Sequence, residues 1–385
     1  MKLISKITLT FLVLSLISVP ILTSCARPTT VEETASTESV AASESAAPET
    51  AAGEGKVVKN EAGEATWEGS IPFQPAKEGE KVIVGQVVLT MLHEYQIRRT
   101  ITGKKAAEEL GVTLLQDSSE MDASKLMTIV ENMIQKGAKA IAFTQTDAGA
   151  GVAVADLCAK KGVAIVLEVQ DNPDVSYPWP LLSVIESDHN AGPGGEFAAN
   201  LFNEKFGKDA KAVLASLRLQ AYTVCDLRNK SFEEAFIKIH PNTEVIQEEG
   251  GGQREPGLKA METLLQAHPD INVLFGCNDD STLGAMGALN AAGKTKDDVI
   301  VIGYDGTLAG YDELKKSDSL YLADVAQDPE EAGYWEVKIA AEAALGLKNP
   351  GDYPRHNLAN KTYLVTAENV DQYYELAKAG QPEKK

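Results

Sequence analysis

Four apolar runs decide the fold of this chain: VIVGQVVL at residues 82–89, VTLLQ at 112–116, AIAFTQ at 140–145 and VAIVLEV at 163–169. Between them lie longer Ala-rich segments with helical periodicity, which predict helices near 97–110, over 124–136 and up to residue 161. Continuous apolar runs are typical of parallel strands whose two faces are both covered by helices. The stretch therefore predicts an α/β fold of the doubly wound class.

The same alternation returns after a break at 169–182 that is rich in Asp, Pro and aromatic residues. A helix is predicted over about 193–206, and strands are predicted at 211–216, 243–247, 272–275, 299–303 and 319–325. Two such runs indicate two Rossmann-like lobes. In doubly wound sheets, ligands bind outside the carboxyl ends of the strands, so residues that directly follow strands are the first site candidates.

The composition excludes several classes of protein. Of 385 residues, 44% are hydrophobic and 24% are charged, which is enough apolar material for one or two packed domains. Acidic residues number 56 against 36 Lys and Arg, a net charge of −20, so nucleic acid is excluded as a partner. The cysteines at 25, 158, 225 and 277 form no CxxC pair, which excludes a zinc ribbon and a disulfide-dense scaffold.

The N-terminus carries a secretion signal. Lys2 and Lys6 precede an apolar or hydroxyl stretch at 7–19 that is too short for a mature membrane span. The residues LTSC at 22–25 resemble the lipobox of bacterial lipoproteins. The resemblance implies a signal peptide over 1–24 and a mature protein anchored through a lipid on Cys25, at the extracytoplasmic face of the membrane. The alternative is an ordinary cleavage site with an incidental cysteine.

A tether is predicted to follow the anchor over residues 25–80. Residues 29–55 consist almost wholly of Ala, Ser, Thr, Glu, Pro and Gly, and this composition buries too little apolar surface to offset the entropy of ordering. We therefore predict a disordered segment that holds the folded part away from the envelope.

Five blocks of sequence resemble the ribose-binding-protein family, the type I periplasmic sugar-binding proteins. They occur in that family's order and spacing, and the resemblance covers roughly residues 81–379. The blocks are SDHNAGPGGEFAA at 187–199, RNKSFEEAF at 228–236, FGCNDDSTLGA at 275–285, VIVIGYDGT at 299–307 and LADVAQDPEEAG at 322–333.

The resemblance implies two lobes joined by a three-strand hinge, with the ligand in the cleft between them. The N-terminal lobe would comprise 81–186 plus 328–361, and the C-terminal lobe 187–327 plus 362–379. It further implies a monomeric, non-enzymatic solute receptor that delivers a sugar or polyol to the permease subunits of an ABC importer. The alternative is a sensor whose closed form is read by a membrane receptor or histidine kinase. A sugar-responsive repressor is excluded by the signal peptide and the acidic tether.

The resemblance also carries over four ligand-binding residues, because charged and amide side chains recognise sugar hydroxyls well in a closed cleft. They are Arg228, Asn278, Asp305 and Gln327. Each has a simpler alternative. Asn278 and Asp305 would serve as helix N-caps, Arg228 as a solvated helix residue, and Gln327 as a hinge hydrogen-bonder only.

The departures from the family concern the identity of the ligand. After the first strand the chain has HEYQ at 93–96, which leaves only Tyr95 as a stacking residue. After the fourth strand, Glu168 keeps a carboxylate while the family's adjacent arginine is absent, and Cys277 replaces a glutamine. We hypothesise that Tyr177 or Trp179 replaces the lost stacking surface. The alternative is that Trp179 only packs its loop.

No enzymatic or cofactor motif competes with this interpretation. The segment GALNAAGKT at 287–295 is one residue longer than a phosphate-binding P-loop and ends a helix, so no nucleotide site is predicted. Asp279, Asp280 and Asp305 could be imagined as a cation site, yet carboxylates beside a sugar cleft already serve as hydroxyl acceptors. We predict neither a cofactor nor a metal.

Overall fold

The computed structural model describes residues 56–379, except 60–62, 64, 169–177, 188, 221 and 355. The described strands form two six-stranded sheets and one short antiparallel ladder. The ladder consists of β1 (Val57–Lys59) and β2 (Ala65–Trp67).

The first alternating run builds most of one sheet. In chain order its elements are β3 (Ile83–Val88), α1 (Glu94–Glu109), β4 (Thr113–Ser118), α2 (Ala123–Gln135), β5 (Ala138–Thr144), α3 (Ala148–Lys161), β6 (Ala164–Glu168) and β7 (Leu181–Ser187).

The second run builds most of the other sheet. Its elements are α4 (Gly192–Phe206), β8 (Ala212–Arg218), α5 (Thr223–Ile239), β9 (Thr243–Glu249), α6 (Arg254–Ala267), β10 (Val273–Gly276), α7 (Asp279–Ala291), β11 (Ile300–Asp305), α8 (Leu308–Leu314) and β12 (Tyr321–Ala326). The chain then continues with α9 (Pro329–Ala344), a 3₁₀ turn (Pro350–Asp352), β13 (His356–Asn360), β14 (Tyr363–Thr366) and α10 (Val370–Ala379).

The two sheets define two lobes. The N-terminal lobe contains the sheet β13-β7-β6-β5-β3-β4, and the C-terminal lobe contains the sheet β14-β12-β11-β10-β8-β9. All described pairings in these sheets are parallel except that of β12 with β14. The predicted α/β class with two doubly wound lobes is thereby confirmed.

The chain passes between the lobes at three places within the described residues: after β7, between β12 and α9, and between β13 and β14. The resemblance implied crossings near 186–187, 327 and 361. The first two alternating runs each build one lobe, whereas the residues after β12 contribute α9 and β13 to the N-terminal lobe and then β14 and α10 to the C-terminal lobe.

Each sheet is buried on both faces, which explains the continuous apolar runs. In the N-terminal lobe, Ile141 and Phe143 of β5 pack toward α2 and α3, whereas Ala140 and Ala142 pack toward α9. Successive side chains of a strand point to opposite faces, so both faces must be apolar. The small residues of the second face let α9 approach the sheet closely.

The predicted tether is wrong at its C-terminal end. Trp67 is only 4% exposed and belongs to the apolar core of the N-terminal lobe. The backbone amide of Ile71 donates to Ala159 O at 2.8 Å, and that of Ala76 donates to Ala344 O at 2.8 Å. The composition that predicts disorder over 29–55 does not continue into the residues that follow, because Trp67 and Phe73 supply apolar surface that the earlier segment lacks. Residues 1–55, including the predicted signal and Cys25, lie outside the described part of the chain.

No helix in the described ranges combines the length and hydropathy needed to cross a bilayer.

The contact of α1 with α9 yields a stability prediction. A Cβ at Gly333 of α9 would lie 2.3 Å from Arg99 O of α1, so Gly333→Ala must push two helices apart. We expect the free energy of unfolding in urea to fall by roughly 1–3 kcal/mol. Gly287→Ala is the matched control, because that exposed helical position has room for a methyl group. It should gain about 0.5–1 kcal/mol from helix propensity. Equal effects at the two positions would contradict the packing argument.

Candidate ligand-binding site

A cavity of about 80 Å³ lies between the lobes, at the carboxyl ends of the strands. Residues from both lobes line it: Leu89, His93, Tyr95, Gln96, Met121, Thr144 and Glu168 on one side, and His189, Leu219, Tyr222, Val224, Cys225, Arg228, Asn278 and Asp305 on the other. Eight of these fifteen residues end a strand or lie within three positions of its end. The topology therefore gathers residues that are more than 200 positions apart in the sequence.

Arg228 and Asp305 form the charged centre of the C-terminal side. Arg228 Nη1 lies 3.2 Å from Asp305 Oδ1 and donates to Cys277 O at 3.0 Å. The guanidinium stacks over the Tyr304 ring at 4.1 Å from its centroid. Burial raises the pKa of Asp305, and the neighbouring Arg228 acts in the opposite direction. Arg228 is buried, so the solvated alternative is wrong.

The backbone of Asp305 is strained where its side chain enters the cavity. Its φ is 127°, a conformation that non-glycine residues rarely adopt. Gln327 lies at one of the lobe crossings. Its side-chain Nε2 donates to Asp305 Oδ1 at 3.0 Å, and its backbone N–H donates to Asp305 O at 3.2 Å. Gln327 does not line the cavity itself but a separate groove. Gln327 therefore positions Asp305 from outside the cavity. The N-cap of the following helix α8 is Thr307 and not Asp305, so the N-cap alternative for Asp305 is wrong.

Asn278 both caps a helix and lines the cavity. Its Oδ1 accepts a hydrogen bond from the amide of Ser281 at 3.0 Å, which confirms the N-cap alternative for α7. Its Nδ2 donates to Gly252 O at 2.8 Å. The cap fixes the rotamer of a side chain that faces the cleft, so the two roles are compatible.

On the N-terminal side, Glu168 belongs to a buried network. Glu168 Oε2 accepts from Thr144 Oγ1 at 2.7 Å and lies 2.8 Å from Arg99 Nη1. The other arm of the fully buried Arg99 donates to Glu336 Oε2 at 2.5 Å. The guanidinium that the sequence lacks beside Glu168 is thus supplied by Arg99 from α1. Arg99 lies beside the likewise buried Arg98 in α1, and only its contact with Glu168 distinguishes it, so sequence reasoning missed it.

Two histidines also line the cavity, although sequence reasoning did not select them. Burial, followed by the charge of Arg228, lowers the pKa of His189 to about 3. Burial likewise lowers the pKa of His93. Both imidazoles are therefore neutral hydrogen-bonding groups at neutral pH. The signal was present for His189, which lies in a family-like block directly after a lobe crossing.

The expected aromatic platform is only partly present. Tyr95 is 7% exposed and lines the cavity, as its place after β3 suggested. Trp179 does not line it, so the hypothesis that this residue provides a stacking surface there is wrong. Its ring packs at 5.8 Å from that of Phe73, in a groove on the N-terminal lobe. Residues 66–75 provide an apolar partner nearer than the cleft. Tyr177 lies outside the described residues.

The lobes touch beside the cavity. Glu94 Oε1 accepts from the amide of Leu308 at 2.8 Å, and Arg98 Nη1 donates to Gly306 O at 2.8 Å. Arg98 is held in place by Glu330, with 2.6 Å between Nε and Oε1. These bonds join α1 of one lobe to the start of α8 in the other, so the structure shows the cleft in a closed arrangement.

The carboxylates of α7 have protein partners rather than a metal ion. Asp279 Oδ2 accepts from the amide and hydroxyl of Thr307, and Asp280 pairs with Arg254 at 3.0 Å. Within the described ranges, no three His, Cys, Asp or Glu side chains are grouped so that they could hold a metal ion.

Comparison with models of known protein families identifies the family to which this chain belongs. The model of the periplasmic binding protein domain matches residues 99–348. The chain belongs to the periplasmic binding protein family. Over 275 residues it is 30% identical to the ribose import binding protein of Salmonella typhimurium, a match that covers 71% of this chain and 88% of that protein.

Solved structures agree on the fold. An ABC transporter solute-binding protein from Mycobacterium smegmatis with bound glycerol superposes with a TM-score of 0.66 at 24% identity, covering 76% of this chain and 96% of that one. A counterpart from Bacillus halodurans with bound myo-inositol has a TM-score of 0.65 at 23% identity, covering 77% and 99%. At this identity the likeness establishes the two-lobed architecture.

The buried network of the N-terminal lobe predicts a pH dependence. Burial raises the pKa of Glu336 to about 7 in the folded protein, above its ordinary value of 4.5. The native state therefore binds more protons than the unfolded state between these values, and this contribution to stability is lost as the pH rises through 7. Relative to Glu336→Gln, the wild-type protein should lose on the order of 1–3 kcal/mol between about pH 5 and about pH 7.5.

Urea unfolding of both proteins at the two pH values measures this difference. The variant keeps the shape of the side chain and leaves Glu168 as a partner for Arg99, so it should fold. Parallel pH profiles of the two proteins would show that Glu336 does not titrate in this interval.

Proposed function

We propose that this protein captures a neutral sugar or polyol between its lobes and delivers it to the permease of an ABC transporter. The observation that carries the proposal is the cavity itself. Arg228, Asn278 and Asp305 face Glu168 and Tyr95 across a closed space at the carboxyl ends of two sheets. Charge-assisted hydrogen bonds from such side chains are strong and directional, which suits a ligand rich in hydroxyl groups.

The charges of the cavity favour a neutral ligand. The guanidinium of Arg228 already has a carboxylate partner in Asp305, and Glu168 is paired with Arg99. The two histidines are uncharged because burial lowers the pKa of each. A phosphorylated or carboxylated ligand would therefore find no unpaired cation among the cavity residues described above. Hydroxyl groups can bond to these pairs without separating them.

The family relatives support a transport function. The ribose import binding protein is named for sugar import, and the two solved relatives hold glycerol and myo-inositol. We infer that this chain likewise binds and releases its ligand unchanged, by opening and closing of the cleft, rather than transforming it. Its partners would be the ligand and the permease subunits. The protein would bind both as a monomer.

We also propose that the mature protein is held at the extracytoplasmic face of the membrane by a lipid on Cys25. The support is the apolar segment at 7–19 followed by LTSC at 22–25. An anchored receptor stays near its permease, which raises the effective concentration of loaded protein.

Ligand-induced stabilisation tests the binding function. We expect at least one member of a panel of pentoses, hexoses, inositols and small polyols to raise the melting temperature by several degrees, because saturation at a thousand times Kd contributes about 4 kcal/mol. Arg228→Met should abolish the shift, measured against the variant's own melting temperature. Lys211→Met, which removes an exposed cation paired with Glu244, should keep it. A full shift in Arg228→Met would overturn the assignment of this cavity.

Cell fractionation tests the anchor. In a bacterial host that processes lipoproteins, the wild-type chain should sediment with membranes, whereas Cys25→Ser should not. Cys158→Ala is the control, because it removes a buried cysteine of the N-terminal lobe without changing the LTSC segment. Membrane association of Cys25→Ser would contradict a thioether-linked lipid.

A further inference from the structure

The lining of the cavity is divided into an apolar and a polar part. Five apolar side chains that line the cavity belong to one cluster, which also contains Tyr222 and Cys277; the five are Leu89, Met121, Leu219, Val224 and Cys225. Leu89 and Met121 follow β3 and β4, and the other three follow β8 or begin α5. We call these five side chains the apolar wall.

The division follows from the order of the strands. β3 and β4 form one edge of the first sheet, and β8 and β9 form the corresponding edge of the second. The polar residues Thr144, Glu168, Asn278 and Asp305 follow or end β5, β6, β10 and β11, which lie nearer the strands that lead into the lobe crossings. The apolar wall is therefore the end of the cavity remote from the hinge, and the hydrogen-bonding groups are at the hinge end.

The backbone of the apolar wall is also occupied. Leu89 O accepts from Met121 N at 3.0 Å and from Ser119 Oγ at 3.1 Å. Leu219 O accepts from Tyr222 N at 3.0 Å, and Tyr222 O accepts from Cys225 N at 3.0 Å. A ligand hydroxyl that pointed at this wall would lose its hydrogen bonds to water and find few in return.

The polar end, in contrast, contains buried polar atoms that have no hydrogen-bond partner. Three buried nitrogen atoms of cavity-lining residues lack a hydrogen-bond partner in the structure: His93 Nε2, His189 Nδ1 and Arg228 Nε. His93 follows β3, whereas His189 and Arg228 belong to the polar end and are each more than nine-tenths buried. Buried polar atoms without partners are unusual, so ligand oxygens that bond to His189 and Arg228 would be favourable at this end.

We propose that the ligand carries an alkyl group, or a carbon without a hydroxyl, at the end that faces the apolar wall. The ligand class is then a deoxy sugar or a methyl-terminated polyol rather than a fully hydroxylated sugar. The proposal rests on the proposed sugar-binding function and deepens it. The hydroxyl-rich end of such a molecule satisfies His189 and Arg228, and its alkyl end packs against Leu89, Met121 and Leu219.

Matched pairs of compounds that differ by one hydroxyl group test the proposal. Isothermal titration calorimetry with the full chain would compare L-rhamnose with L-mannose, D-fucose with D-galactose, D-quinovose with D-glucose, and propylene glycol with glycerol. In at least one pair, the deoxy member should bind about tenfold or more tightly than its partner, because one buried hydroxyl is left unbonded.

A nearly isosteric variant locates the preference. Met121→Gln places an amide in the apolar wall, so the ratio of the two Kd values should move toward one. Met91→Gln, at a 44% exposed position outside the cavity lining, should leave the ratio unchanged. If Met121→Gln does not fold by its melting curve, Leu219→Gln makes the same change from the other lobe.

The outcomes separate this inference from the proposed function. Equal or tighter binding of the fully hydroxylated members would overturn the inference and leave the sugar-binding function intact. An unchanged ratio in the folded wall variant would also overturn it. No binding by any compound here or in the wider panel of sugars and polyols would overturn the proposed function, and the inference with it.

Discussion

The structure depends on one geometric constraint: parallel strands need crossover connections, and the crossover helices cover both faces of each sheet. All parallel strands of a lobe then end at the same edge, where the chain turns into a helix or a loop, and only β14 among the described strands of the two six-stranded sheets runs the other way. Two lobes built this way, joined at three crossings, present these edges to each other. The constraint turns residues at β5, β6, β10 and β11 into the walls of one cavity.

Both walls of that cavity hold their charges by pairing them. Arg99 is shared between Glu168 and Glu336 in the N-terminal lobe, and Arg228 pairs with Asp305 in the C-terminal lobe. Pairing offsets part of the cost of a buried charge and also fixes each carboxylate in position before a ligand arrives. The strained backbone of Asp305 and its two hydrogen bonds with Gln327 connect the site to a crossing segment, so closure and binding share the same residues.

Much of this site was predictable from the resemblance to the ribose-binding-protein family, whose motifs match Arg228, Asn278, Asp305 and Gln327. Five of the six predicted ligand-binding residues line the cavity, and the sixth, Gln327, hydrogen-bonds to one of them. Arg99 and His93 were not predictable from spacing, because their roles depend on which helix face and which loop the other lobe covers, whereas His189 lies in a family-like block that the prediction could have used. The position of Trp179 differs from the prediction for the same kind of reason: it packs with Phe73, a residue of the segment predicted to be a tether.

Local sequence by itself determined the alternation of strands and helices, the two-lobed class and the acidic character of the chain, because each of these properties depends on neighbouring residues or on composition alone. Only the tertiary structure decided that Arg99 serves Glu168, that residues 65–76 complete the N-terminal lobe, and that the cleft has an apolar wall opposite a polar end. The physical reason is distance along the chain. Those features arise from contacts between segments far apart in sequence, and their partners are set by packing and lobe closure rather than by local periodicity.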